Sequence, residues 1–168
     1  AIPGITHTGK RTKTLLEISN FIEKRTIKKI TENKISNIIW GNATEELRKE
    51  DVIDIGKEYV IPGLVDIHFH GCVGYDFCDG TPEAVAKSAE YEASQGITTI
   101  VPATMTLSED ELMKIMKNAG NYKSDKGAIL AGINMEGPFI SAAKKGAQAA
   151  THICKPDIEM FRKLQAAS

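Results

Sequence analysis

Two histidines at the end of an apolar segment, His68 and His70, are the residues best placed to do chemistry. The segment before them, residues 60–67, is short, apolar and interrupted by proline and glycine, which indicates a buried strand. Successive side chains of a strand alternate between its faces, so both imidazoles are expected on the same face. Because imidazole is the commonest metal-binding side chain, the pattern predicts a shared metal site. The alternative is a pair of polar residues at a strand end, without a metal.

A third potential ligand, Glu136, follows another apolar segment, residues 128–135, and precedes Gly137 and Pro138. Imidazoles and a carboxylate, without a cage of thiolates, suit a catalytic divalent ion such as zinc, iron or manganese. Such an ion lowers the pKa of water and polarises a carbonyl oxygen, so hydrolysis of an amide or ester is the expected chemistry. The alternative for Glu136 is a carboxylate that caps a neighbouring helix or loop.

The elements that position these residues are read from the alternation of strand and helix signals. Three short apolar strands are predicted, at residues 60–67, 97–101 and 128–135. Three helices follow them, at residues 82–95, after Ser108, and at residues 156–166. Alternating strands and helices predict parallel βαβ units, and ligands gather at the carboxyl ends of such strands. The residues leave two α/β architectures open, a doubly wound sheet and a (β/α) barrel.

Local signals define the helix ends and faces. Thr81 is an N-cap residue before a proline, Gly96 stops the first helix, and Ser108 opens a capping box. The predicted core face of the second helix consists of Leu112, Ile115, Met116 and Ala119. The predicted core face of the third helix consists of Ile158, Phe161 and Leu164.

The first 57 residues read differently from the rest. Short apolar pieces between lysines and arginines predict a small β-rich domain at residues 1–57, with a helix over residues 15–30 as the alternative. Residues 58–168 form the predicted α/β domain. His7 stands alone in a loop-like segment and is given no role.

Composition excludes several classes of function. A chain of 168 residues with 42% hydrophobic residues, 26% charged residues and net charge −1 is typical of a globular protein. No nucleic-acid or membrane partner is expected, and no secretory leader is visible at the N-terminus. The three cysteines, an odd number without a CxxC motif, predict reduced thiols in the cytoplasm. Cys72 is expected to be a small buried residue, with metal ligation as the alternative.

The motifs resemble a known family. The stretches VIPGLVDIHFHG, GITTIVPAT and NMEGPFIS followed by KKGA are similar to N-acetylglucosamine-6-phosphate deacetylases of the amidohydrolase superfamily. The PGxxDxHxHG pattern indicates the superfamily, whereas the segment from Glu136 onward is specific to the deacetylases. The resemblance extends from about residue 52 to residue 168. It implies hydrolysis of N-acetylglucosamine 6-phosphate to glucosamine 6-phosphate and acetate.

The resemblance also implies roles for individual residues. Glu136 matches the metal-binding glutamate, and His68 and His70 match the pair that binds a second metal in some members. Many members have a sugar-contacting histidine where this chain has Gln148, which is therefore the candidate substrate-binding residue. His152 lies nearby in the sequence and is expected to be a loop residue without a role. The catalytic aspartate and two further metal-binding histidines of the family come from later strands, so no catalytic residue is expected in this chain.

The fold implied by the resemblance is a (β/α)₈ TIM-like barrel with a small β-sandwich. A complete barrel needs about 250 residues, and this chain supplies three βα units. The chain is thus expected to be an N-terminal part of a longer enzyme, inactive alone, and the family suggests a homodimer. Two alternatives remain: another amidohydrolase, such as a dihydroorotase, a hydantoinase or a deaminase, or a non-catalytic binding module that keeps the histidines.

Overall fold

The computed structural model describes residues 14–19, 25–31, 34–40, 52–54, 59–124 and 126–168. The described residues divide into two compact units, one within Gly9–Pro62 and the other within Gly63–Ser168. The predicted boundary between residues 57 and 58 lies outside the described residues, as does His7. The division into domains at residues 1–57 and 58–168 therefore stays a prediction.

The first unit contains a sheet with the strand order β3-β2-β1-β4. Its strands are β1 (Thr14–Ser19), β2 (Arg25–Thr31), β3 (Lys34–Trp40) and β4 (Val52–Asp54). Neighbours pair antiparallel except β1 and β4, which are parallel. The alternative of a helix over residues 15–30 is wrong, because β1 and β2 occupy that segment and β2 is rich in β-branched residues that favour strands.

The second unit alternates strands and helices along the chain. Its strands are β5 (Leu64–Asp66), β6 (Gly71–Cys72), β7 (Tyr75–Asp76), β8 (Ile97–Ile100) and β9 (Ile129–Leu130). Its α-helices are α1 (Pro82–Ser94), α2 (Glu109–Asn121) and α3 (Ile158–Ala167). None of the helices in the described residues is long and apolar enough to span a membrane.

A parallel sheet with the order β5-β8-β9 organises this unit. Asp66 pairs with Ile100, which pairs in turn with Leu130, so the strands run in step towards their carboxyl ends. Helix α1 connects β5 to β8 and α2 connects β8 to β9. The predicted α/β class with a parallel sheet is confirmed.

The predicted lengths and burial of the outer strands are wrong. The segments 60–67 and 128–135 shrink to Leu64–Asp66 and Ile129–Leu130, and Val65 is 58% exposed rather than buried. Both strands lie at the edges of the sheet, and helix α1 packs against the central strand β8. An edge strand pairs on one side only, so its apolar side chains find few partners in the described part of the chain.

The predicted caps and the core face of α2 are confirmed. Thr81 Oγ1 accepts a hydrogen bond from the Ala84 amide at 3.2 Å and begins α1. Ser108 and Glu111 form the capping box of α2, and their hydrogen bonds lower the pKa of Glu111. The four residues of the predicted face are all buried: Leu112, Ile115, Met116 and Ala119.

The predicted core face of α3 is partly wrong. Leu164 is 1% exposed, as expected, but Ile158 is 59% exposed, and Met160 is buried in its place. Met160 and Leu164 pack with Leu112 and Met116 of α2. Met160 and Leu164, spaced at i and i+4, lie on the face that packs against α2. The predicted residues, spaced at i, i+3 and i+6, do not share one face of the helix.

The corrected face of α3 predicts different costs for two similar truncations. Leu164→Ala should lower the free energy of unfolding by about 2–5 kcal/mol, since it empties a buried site. Ile158→Ala, a matched truncation on the exposed side, should cost less than about 1 kcal/mol. Urea denaturation of both variants measures the difference, and equal losses would contradict the observed orientation of α3.

A buried carboxylate lies on α1. Glu92 is 6% exposed. Burial raises the pKa of Glu92, and the nearby Asp66 carboxylate raises it further. A carboxyl group whose pKa is higher in the folded state binds its proton more tightly there. It therefore favours the folded state at low pH and loses this contribution as the pH rises from the ordinary glutamate pKa through the raised value.

This pKa shift predicts that Glu92→Gln raises the free energy of unfolding by an amount that depends on pH. The amide is neutral at every pH, so the variant should be more stable than the parent above the raised pKa of Glu92. The difference should shrink as the pH falls below the ordinary glutamate pKa. Urea denaturation across this pH range measures it, with Glu90→Gln on the exposed side of α1 as the matched control. A constant difference at all pH values would contradict the shift.

Candidate metal centre

Backbone hydrogen bonds extend the parallel pairing beyond the ends of the assigned strands. The amide of Ala103, after β8, donates to the carbonyl of Phe69 at 2.7 Å. The amide of Asn134, after β9, donates to the carbonyl of Pro102 at 2.9 Å. The segments that carry the two histidines and Glu136 are therefore held side by side at the carboxyl edge of the sheet.

The three predicted ligands meet at this edge. His68 Nε2 lies 3.5 Å from Glu136 Oε2, and His70 Nε2 lies 3.2 Å from the same oxygen. The two imidazole rings have centroids 5.2 Å apart and are nearly perpendicular, at 84°. One ligand atom from each residue lies within 4.8 Å of the others. The structure thus brings together the histidines and the glutamate, although the strand that precedes them is shorter than predicted.

The donor set fits a divalent cation. Zinc ligands lie about 2.0–2.2 Å from the ion in a tetrahedral site, so neighbouring ligand atoms lie about 3.3–3.6 Å apart. The two distances to Glu136 Oε2, 3.5 and 3.2 Å, are close to this spacing. Within the described residues Glu136 Oε2 is buried and has no hydrogen-bond partner. A buried carboxylate oxygen flanked by two imidazoles is suited to metal coordination.

Asn134 is a member of the site that the sequence reading missed. Its Nδ2 lies 3.0 Å from the carbonyl oxygen of Ile67 and 3.1 Å from His68 Nδ1. The side chain therefore contacts the outer side of the His68 ring, away from Glu136. Its position two residues before Glu136, in an extended segment, is the sequence signal that could have found it.

A second chain of contacts holds the backbone of Glu136. Thr106 Oγ1 donates to the carbonyl of Glu136 at 3.2 Å, and the amide of Thr106 donates to Gln148 Oε1 at 2.6 Å. Gln148 is 4% exposed, and its Nε2 lies 3.7 Å from Met105 Sδ. Gln148 is thus not among the three clustered ligands, and its substrate-binding role stays a prediction.

The cysteines and His152 do not join the three clustered ligands. All three cysteines are free, with Cys154 exposed. Burial raises the pKa of the Cys78 thiol to about 11 and also raises that of Cys72, which disfavours the thiolate that a metal requires. Cys72 Sγ is instead directed towards the carbonyl of Ser88, at 4.0 Å. His152 lies in a 3₁₀ turn, Ala150–His152.

Similar proteins are found by sequence. The chain is 33% identical over 121 residues to an N-acetylglucosamine-6-phosphate deacetylase of Lysinibacillus sphaericus, which covers 70% of this chain and 31% of that protein. It is 30% identical over 141 residues to the enzyme of the same name from Bacillus subtilis, and this match covers 81% of this chain and 35% of that protein. The chain therefore spans about a third of the length of these curated relatives. No model of a known protein family matches the chain.

A solved structure shares the fold. The structure of a variant N-acetyl-D-glucosamine-6-phosphate deacetylase from Mycobacterium smegmatis, in complex with N-acetyl-D-glucosamine-6-phosphate, has a TM-score of 0.75 and 22% identity. The match covers 93% of this chain and 41% of that one. Taken with the sequence relatives, it confirms the resemblance first seen in the motifs. The chain is homologous to a part of the N-acetylglucosamine-6-phosphate deacetylases.

Proposed function

We propose that the full-length protein hydrolyses the acetamide of N-acetylglucosamine 6-phosphate and releases glucosamine 6-phosphate and acetate. The observation that carries the proposal is the convergence of His68, His70 and Glu136 at the carboxyl edge of a parallel sheet, with ligand atoms within 4.8 Å. This edge is where enzymes with parallel sheets bind their ligands. The homology to named deacetylases supports this reaction and substrate class.

The site residues act by holding a cation and leaving it accessible. A divalent ion bound by Glu136, His68 and His70 would polarise a carbonyl oxygen and favour deprotonation of water. The side chain of His68 is 53% exposed, so a substrate can reach the site from solvent. Thr106 Oγ1 donates to the carbonyl of Glu136 and so holds the backbone that carries this proposed ligand before substrate binds. The proposed general acid is an aspartate outside these 168 residues, as the family resemblance implies.

The finer features of the proposal follow from the resemblance. The parallel strands and their helices are the first three units of a (β/α)₈ barrel, and the sheet of the other unit is part of a small β-sandwich. Zinc is the expected ion, with iron or manganese as alternatives, and one or two ions bind. Gln148 is the proposed sugar contact; its Oε1 accepts from the amide of Thr106, and its Nε2 lies 3.7 Å from Met105 Sδ. The enzyme is a cytoplasmic homodimer.

Glu136→Gln in the full-length protein tests the proposed metal ligand. The amide keeps the size of the side chain but loses the charge that binds the ion. The expected loss in kcat/KM for release of acetate from N-acetylglucosamine 6-phosphate is at least about a thousandfold, since the ion contributes several kcal/mol. Glu159→Gln on the exposed surface of α3 is the matched control and should keep full activity.

Three other outcomes of this assay would overturn parts of the proposal. Near-normal activity of Glu136→Gln with a normal metal content would exclude Glu136 as the essential ligand. Turnover of a cyclic amide or a nucleobase, with none on N-acetylhexosamine phosphates, would identify another amidohydrolase. Absence of any turnover by the metal-loaded protein would favour a non-catalytic binding module.

Gly137 determines how closely the chain after Glu136 can approach Thr106. Gly137 has φ 81°, in the left-handed region that favours glycine. A Cβ added there would collide with Thr106 Oγ1 and lie 3.0 Å from Thr106 Cβ. The same Thr106 hydroxyl holds the carbonyl of Glu136. A side chain at residue 137 would therefore displace the backbone that carries the proposed ligand.

Gly137→Ala is expected to weaken both folding and metal binding. Zinc affinity should fall by about tenfold or more, because the contacts around a ligand set its geometry. The free energy of unfolding should fall by about 2–4 kcal/mol from backbone strain and collision together. Gly146→Ala is the control, because Gly146 also has a positive φ, 59°, but has no atom within 4 Å of an added Cβ. Zinc titration and denaturation measure both, and equal zinc affinities would show that Gly137 does not position Glu136.

A further inference from the structure

Backbone hydrogen bonds hold Asn134 in place independently of its side chain. Its amide donates to the carbonyl of Pro102 at 2.9 Å, and its carbonyl accepts from the amide of Thr104 at 3.0 Å. The residue also forms a parallel bridge with Ala103. These contacts continue the sheet pairing between the segments after β8 and β9. The side chain of Asn134 therefore projects from a defined point of the carboxyl edge.

The contacts of the Asn134 side chain identify which of its atoms faces His68. One side-chain atom lies 3.0 Å from the Ile67 carbonyl oxygen and 3.1 Å from His68 Nδ1. A carbonyl oxygen only accepts hydrogen bonds, so the atom that faces it must be the amide nitrogen, Nδ2. The two hydrogens of Nδ2 then serve two acceptors, the carbonyl of Ile67 and Nδ1 of His68.

We infer that Asn134 sets the tautomer of His68 and thereby limits how tightly the site binds a metal. A neutral imidazole carries one proton, and Nδ1 cannot carry it while it accepts a hydrogen bond from Asn134. The proton is then on Nε2, which is the nitrogen that lies 3.5 Å from Glu136 Oε2. Asn134 is a positioning residue, and the inference rests on the metal site of the proposed function.

This tautomer opposes coordination through Nε2. A metal ion needs the lone pair of Nε2, so the proton must move from Nε2 to Nδ1, with no net gain or loss of protons. Nδ1–H would then face the Nδ2–H₂ group of Asn134, donor against donor. Rotation of the amide would supply Oδ1 to accept from Nδ1–H, but it would place that oxygen against the carbonyl of Ile67. Metal binding at His68 must therefore disrupt one of the two Asn134 hydrogen bonds.

The direct test is the protonation pattern of His68 in the full-length protein. Two-bond ¹H–¹⁵N spectra distinguish protonated from unprotonated ring nitrogens, and the loss of signals in His68→Gln assigns them. With the metal removed by a chelator, and at a pH where the spectrum shows a neutral ring, the proton should be on Nε2. A proton on Nδ1 would overturn the inference. This measurement needs no change at Asn134.

Asn134→Asp tests the same inference by zinc affinity. A carboxylate loses the hydrogen bond to the Ile67 carbonyl but accepts from Nδ1–H, so the proton of His68 should move to Nδ1 and zinc affinity should rise by about tenfold or more. Asn121→Asp, which adds the same charge at the end of α2, should leave the proton position on His68 and the zinc affinity unchanged. Because added charge alone can attract a cation, the proton position is the deciding readout. Asn134→Asp with the proton still on Nε2, or without tighter binding, would contradict the inference.

These readouts are independent of the proposed reaction. The tautomer is measured without metal or substrate, and zinc affinity is measured by calorimetry without turnover. If the protein has no deacetylase activity but the proton lies on Nε2, the reaction is wrong and the role of Asn134 stands. If the protein is an active deacetylase with the proton on Nδ1, the role of Asn134 is wrong and the proposed function stands.

Discussion

Parallel hydrogen bonding across the carboxyl ends of β5, β8 and β9 is the constraint on which the rest of the second unit depends. The ladder continues past the strands through Phe69, Ala103 and Asn134. It fixes the relative positions of segments that are more than 60 residues apart in the sequence, as the contact between His68 and Asn134 shows. Helix α1 packs on the central strand β8, and the chain carries polar side chains where it leaves the sheet.

Local features of the fold were predictable because their causes are local. Thr81 and Ser108 begin α1 and α2 through hydrogen bonds to amides three residues away, which a sequence pattern specifies completely. The apolar face of α2 is buried as predicted, because it is contacted along its length by several parts of the unit. The face of α3 was less predictable. Its helix is short and packs mainly on α2, so the position of α2 decides which of its apolar residues are buried.

The burial of the strands could not be read from their composition. Leu64, Val65 and Ile129 have the apolar character of strands covered on both faces, yet they are exposed at the edges of the sheet. Apolar composition indicates that a strand can be buried. How far it is buried depends on the elements that surround it. In the proposed barrel, further strands would flank these edges. Within the described residues the same sequence forms a short sheet with open edges, and the predicted strands are too long.

The clustering of the three candidate ligands could be predicted because strand ends carry them, whereas the contacts that support them could not. His68, His70 and Glu136 are recognisable by residue type and by their place after apolar segments. Thr106 acts on Glu136 from 30 residues away through its hydroxyl, and the buried amide of Gln148 acts on Thr106 from 42 residues away. No periodicity in the sequence indicates either contact. Asn134 contacts both the backbone and a candidate ligand, because its side-chain nitrogen lies against the Ile67 carbonyl and the His68 imidazole. The amide group of Asn134 thus has two roles. It joins the segment after β5 to the segment after β9 through the Ile67 carbonyl, and in our inference it selects the proton position on His68. A residue that joins two segments at the edge of the sheet would thus also constrain the metal binding proposed there, because both contacts are made by the same side-chain nitrogen.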